Sequence, residues 1–159
     1  MLAHRQQLGE VGCLYFALYA LTGDEQVLEH AADVSDARWQ ARLAGWGLMP
    51  FAFWVTGAAG PPTPPEFWMR QRAQFRESGG ISGAPLLVSI LGNSPDWLHA
   101  VAVLLPLDDS PVAISDSNFP ELLFLSWEQF LGSDYARAHR VEMLGPLLLD
   151  AYPPDLRTP

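Results

Sequence analysis

Apolar residues recur along this chain at two different periods, and the change from one to the other falls near its middle. Cys13, Phe16, Ala17, Ala20 and Leu21 repeat at i, i+3, i+4, i+7 and i+8, the pattern of an amphipathic or buried helix, with Gly23 as its C-terminal cap. Cys13 lies in the first turn of that helix. A second helix is predicted from Asp24 ("DEQVLEHAA") and a third from Ser35 ("SDARWQARLAGWG"). In the third, Ser35 or Asp36 can accept the unpaired amide hydrogens of the first turn, and Gly45 and Gly47 end it. The aromatic run "LMPFAFWVTG" reads as a strand, "AAGPPTPPEF" as a proline-stiffened loop, and "EFWMRQRAQFRES" as a helix with Gly79 and Gly80 beyond it.

Beyond Gly80 the period shortens to that of strands. "PLLVSIL", "WLHAVAVLLPL", "PVAISDS", "ELLFLS" and "HRVEMLG" are short β-type runs separated by turns, with a short helix "WEQFLGS" between the last two. Helices first and antiparallel strands afterwards predict an α+β fold, N-terminal helices packed on a C-terminal antiparallel sheet. No internal repeat divides the chain, and neither flank of the proline loop could bury a core of its own. A single domain over residues 1–159 is therefore expected.

Composition narrows the partners. Nine basic residues, all arginine, face eighteen acidic ones for a formal net charge of -9, so no basic stripe exists to displace counterions from nucleic acid. One cysteine can form neither an internal disulfide nor a thiolate zinc site, and no cofactor motif is present. His4 and Arg5 ahead of an apolar stretch imitate a secretion signal, but Glu10 interrupts the transition and the run from Val11 to Leu21 has helical periodicity. That run is also too short to span a bilayer, so the expectation is a cytoplasmic protein with no membrane association. Nothing in the sequence specifies an oligomeric state.

Of the four histidines only His99 sits inside a strongly apolar strand, sharing one face with Trp97, Val101 and Val103. If "HAVAVLL" and "PVAIS" form a hairpin, a turn centred between Leu107 and Asp108 pairs residues whose numbers sum to 215, setting Asp116 opposite His99. A tight turn on Asp108 and Asp109 makes the sum 217 and sets Asn118 opposite it. Either register gives the imidazole a polar partner, which fixes the tautomer and the ring orientation that a proton shuttle needs.

Cys13 supplies a matching acid. The amide hydrogens and dipole at a helix N-terminus stabilise a thiolate, and a nearby imidazolium lowers its pKa further. Gln7, six residues earlier, could hold the oxyanion of a tetrahedral intermediate together with the Cys13 amide hydrogen, with Gln6 as an adjacent competitor. Read without the histidine, Cys13 is a small hydrophobe in a core helix.

The order Gln7, Cys13, His99, Asp116 resembles the papain-like cysteine peptidase superfamily, and within it the compact bacterial peptidases of the bacteriocin-leader-processing type. A Gln six residues ahead of a helix-starting Cys, a His opening an apolar strand and an Asp or Asn ending the next are its marks. "LSWEQFLG" followed by "RVEML" is similar to the Trp-containing helix and last strand of such domains. The resemblance implies a papain-like fold and a hydrolase of peptide, isopeptide or related amide bonds acting on a peptide or protein without a cofactor. It gives Cys13 as nucleophile, His99 as proton carrier, Asp116 as its orienting partner and Gln7 as oxyanion donor. The chain departs from the leader-processing pattern at Gly12-Cys13-Leu14, where Asp-Cys-Gly is usual, and at Ser117, where Pro commonly follows the Asp. Acyl transfer to an amine, deamidation of glutamine, or an inert peptide-binding module would use the same constellation.

Other candidates are weaker. His30 and Asp33 lie one turn apart, a spacing for a metal that lacks a third ligand; His139 reads as a surface residue entering the last strand. "GGISGAP" lacks the helix and Lys-Ser/Thr of a phosphate cradle and reads as a turn, and the aromatic residues of "FWVTG" and "EFWMRQRAQF" as core.

Overall fold

A computed structural model describes residues 2–7, 12–30, 43–44, 48–79, 82–92 and 97–144. The start of the helix expected from Ser35, its ends at Gly45 and Gly47, and Asp33 lie outside the described residues, although Leu43 and Ala44 are helical. Helix α1 runs Cys13–Thr22 and leads into a 3-10 turn, Glu25–His30. Strand β1 (Pro50–Val55), helix α2 (Pro65–Ser78), β2 (Gly83–Leu91), β3 (Leu98–Pro106), β4 (Val112–Ser115) and β5 (Leu123–Leu125) follow. A short helix α3 (Trp127–Leu131), a 3-10 turn (Asp134–Ala136) and β6 (Ala138–Leu144) complete the order.

The ends of α1 are set by glycines. Gly23 adopts φ 71 and donates its amide hydrogen to Tyr19 O, while Gly12 precedes the helix at φ 100, a region that side-chain-bearing residues rarely enter. The buried face of α1 is Tyr15, Ala17, Leu18, Ala20 and Leu21, rotated from the periodic set, because Cys13 and Phe16 are only half-buried. A helix apolar on most sides does not itself select which side the core takes. The segment after Asp24 forms a 3-10 turn instead of the expected α-helix. Asp24 Oδ1 accepts from Gln26 N and Asp24 O from Val27 N, and this tighter winding carries Val27 into the core.

All strand pairs are antiparallel, in the order β1-β6-β2-β3-β4-β5. Alternate residues serve two separate cores. Leu86, Val88, Ile90, Val101, Val103 and Leu105 pack with Phe67, Trp68 and Phe75 of α2 and Phe130 of α3. Leu87, Ala100 and Ala102 pack instead with Tyr15, Leu18 and Leu21 of α1. The result is an α+β fold in three layers with helices on both faces, a more interleaved arrangement than N-terminal helices on a C-terminal sheet. β1 precedes α2 in the chain yet closes the sheet by pairing with β6, the last strand.

Two anchors hold the chain between β5 and β6 in place. Trp68 is fully buried and donates its indole hydrogen to Ala136 O at 2.8 Å, and Thr63 Oγ1 donates to the same oxygen at 2.7 Å. Ser126 and Gln129 form a reciprocal capping box on α3. His139 corrects an expectation: β6 is flanked by β1 and β2, so this residue is buried rather than at the surface, with Nδ1 3.0 Å from Gly57 O. Among the described residues no helix is long and apolar enough to cross a membrane.

Candidate active site

The β3–β4 hairpin takes the register in which paired numbers sum to 217, through Ala102↔Ser115, Val103↔Ile114 and Leu104↔Ala113. Its turn is wider than two residues, since 107–111 lie outside both strands. Continued backwards, this register sets Asn118 across from His99 and Ser117 across from Ala100. The ladder stops first, because β4 ends at Ser115. Beyond that point the N-terminal part of the chain takes the freed backbone groups. Ala100 donates its amide hydrogen to Cys13 Sγ at 3.4 Å, and Ser117 O accepts from Gln7 N at 2.8 Å. The parting of two strands thus brings the start of α1 against the start of β3.

Residues 116–118 turn, and the turn folds the Asp116 side chain back. Its Oδ1 accepts the Asn118 amide hydrogen at 3.0 Å and lies 2.7 Å from His99 Nε2. Asn118 Nδ2 is 3.4 Å from the same nitrogen, too long to compete and a donor facing a donor while Nε2 carries a hydrogen. The Cys13 thiol, held by the Ala100 amide, lies close enough to the His99 ring for each group to shift the other's proton affinity. Asp116 and His99 are 4% and 8% exposed, low enough that their interaction is little screened by solvent.

Burial opposes charge at each of the three groups, and their mutual contacts overcome it. For His99, burial alone favours the neutral ring, but the hydrogen bonds to Asp116 and Cys13 push its pKa up to about 9. Burial would raise Asp116; hydrogen bonds from His99, Tyr135 and the Asn118 amide hold it below the usual carboxylate range. Burial also pushes the Cys13 thiol up, and the His99 hydrogen bond, followed by the Ala100 amide, brings it below the free-thiol value. This is the environment that favours a thiolate beside an imidazolium.

Gln7 is tied to the far side of the same turn. Besides its backbone bond, its Oε1 accepts from Ser117 Oγ at 2.5 Å, which turns the carbonyl end of the amide towards Ser117. Gln6 makes a longer contact, Nε2 to Asn118 O at 3.5 Å. His4 braces this strap as well, with Nδ1 2.7 Å from Ser115 Oγ and Nε2 donating to Phe119 O at 2.9 Å. Four residues brought to the site have no role predicted from sequence: His4, Ser115, Ser117 and Tyr135, whose hydroxyl donates to Asp116 Oδ2 at 2.7 Å. Ser117 is visible in the sequence only as a departure from a pattern, and Tyr135 lies in a polar turn with no local signal. No group of three metal-ligating side chains occurs among the described residues.

The described residues therefore define a three-layer α+β protein in which a strand-starting histidine is bonded to a buried aspartate, and a helix-starting cysteine is held beside it by the next backbone amide of the strand. Compared with protein-family models, curated proteins and solved structures, the sequence and fold match none.

Proposed function

We propose that the protein is a papain-like cysteine hydrolase of peptide, isopeptide or related amide bonds. The observation that carries this reading is the juxtaposition at the start of β3: His99 bonded to buried Asp116 at 2.7 Å, and the Cys13 thiol of the first turn of α1 held beside it by the neighbouring Ala100 amide. In the reaction, Cys13 Sγ attacks the amide carbonyl carbon, forming a C–S bond and an oxyanion. Gln7 and the Cys13 amide hydrogen hold that oxygen. As the intermediate collapses, the C–N bond breaks and His99 gives its proton to the departing amine. Water then attacks the thioester while His99 takes up a proton, the C–S bond breaks, and the acid leaves. Asp116 keeps the ring oriented throughout and stabilises its cationic form.

Iodoacetamide alkylation of Cys13 across pH tests the reading, paired with labelling by an electrophilic peptide probe. Alkylation at full rate well below the pKa of a free thiol, lost in His99→Ala, is the expected result. A thiol that reacts only above about pH 8 would sink the proposal.

A further inference from the structure

Asp116 has two oxygens, and only one of them faces His99. Oδ1 takes His99 and the Asn118 amide, while Oδ2 accepts the Tyr135 hydroxyl at 2.7 Å. We propose that Tyr135 is a positioning residue of this site: by holding Oδ2 it fixes the carboxylate with Oδ1 directed at His99, and so sets the proton affinity of the imidazole. This inference rests on the reading of Cys13, His99 and Asp116 as one site.

A carboxylate held at one oxygen turns about its Cβ–Cγ bond; held at both, it does not. The phenol is itself firmly placed. Tyr135 sits in the 3-10 turn Asp134–Ala136, and the carbonyl of Ala136 receives both the Trp68 indole and the Thr63 hydroxyl. The most buried aromatic side chain of the α2 layer therefore anchors the turn that carries the phenol. Burial and the Asp116 carboxylate push the Tyr135 pKa well up, so the hydroxyl keeps its hydrogen and remains a donor wherever Asp116 is ionised. The titratable neighbours from each packed element are His99 of β3, Cys13 of α1 and Asp134 beside the phenol. His4 stands next door on Ser115 and Phe119.

The test separates the hydroxyl from the ring and the site from the thiol. In a Cys13→Ser chain, where no thiolate contributes, the His99 titration is followed by NMR with and without Tyr135→Phe. With Oδ2 released and the carboxylate free to turn Oδ1 away from the ring, the His99 midpoint is expected to fall by about one unit, a tenfold change in proton affinity. In chains that keep Cys13, the same substitution is expected to slow alkylation at pH 6 several-fold. With Asp116→Asn already present, Tyr135→Phe is expected to add nothing. An unchanged His99 midpoint in a folded Tyr135→Phe chain overturns the proposal. Where that variant does not fold, the unaltered chain serves: a slowly exchanging Tyr135 hydroxyl proton is expected, and a rapidly exchanging one overturns it. A Cys13 that reacts only at high pH removes the hydrolase, yet leaves the His99 midpoint free to decide the role of Tyr135.

Discussion

The two ends of the β3–β4 hairpin carry comparable polar groups and treat them in opposite ways. At the turn end, Asp108 is exposed, its Oδ1 accepting from Ser110 N, and Arg72 and Arg76 of α2 donate to the Asp108 and Leu107 carbonyls. At the open end, Asp116 is buried and bonded to His99, Tyr135 and the Asn118 amide. Solvent can replace any partner at the first end. It cannot at the second, so each bond there is costly to remove and each charge depends on its neighbours. The same residue types become a buried, mutually bonded group only where the ladder stops inside the protein.

The largest effect that would sharpen this contrast is on chemistry. Cys13→Ala is expected to abolish cleavage of an amide or electrophilic probe substrate, a loss of at least about a thousandfold in kcat/KM, with the fold retained in circular dichroism. Residual activity near that of the unaltered chain breaks the comparison at its root.

Next comes stability. Asp116→Ala strands a buried imidazolium and is expected to cost about 3 kcal/mol in urea unfolding. Asp108→Ala, its counterpart at the exposed end, should leave the urea midpoint unchanged. Equal losses from the two would mean the burial difference has no energetic content.

The pH dependence of stability has a definite sign. His99 is raised to about 9, so its share of stability is complete below the ordinary imidazole value of about 6.5 and is lost as pH rises through about 9. Asp116 is lowered, so its share is present above the ordinary carboxylate value and is lost as pH falls through its depressed one. Urea unfolding between pH 5 and 10 should therefore show stability declining on the alkaline side, and Asp116→Asn should flatten that decline.

The smallest expected effect is at Ser117. Ser117→Ala removes the bond to Gln7 Oε1 and is expected to cost about 1 kcal/mol. It should also lower kcat several-fold with little change in KM, since Gln7 would act on the oxyanion alone. A change confined to KM would assign Ser117 to substrate binding instead.

Much of the fold was legible because its signals are short-range. The β-runs after Gly80, the helix over "EFWMRQRAQFRES" and the αL glycine at 23 follow from period and local conformation. What period could not decide was which side of an almost wholly apolar helix is buried, or that β6 would lie between β1 and β2 and enclose His139. For the site, the parity of the hairpin put His99, Asp116 and Asn118 on one face in either register. The structure takes the register that favours Asn118, yet the turn at 116–118 brings Asp116 closer.

By itself the sequence determined which residues could share a helix or a strand face, where glycines end helices, and that one cysteine and one histidine inside a strongly apolar strand were available for chemistry. Only the tertiary structure decided that they meet. The meeting depends on β4 ending at Ser115, on residues 7 and 13 taking the groups it leaves, and on a phenol from the turn before β6 reaching Asp116. Those are competitions among partners far apart in the chain, settled by burial and hydrogen-bond satisfaction, and no local pattern records their outcome.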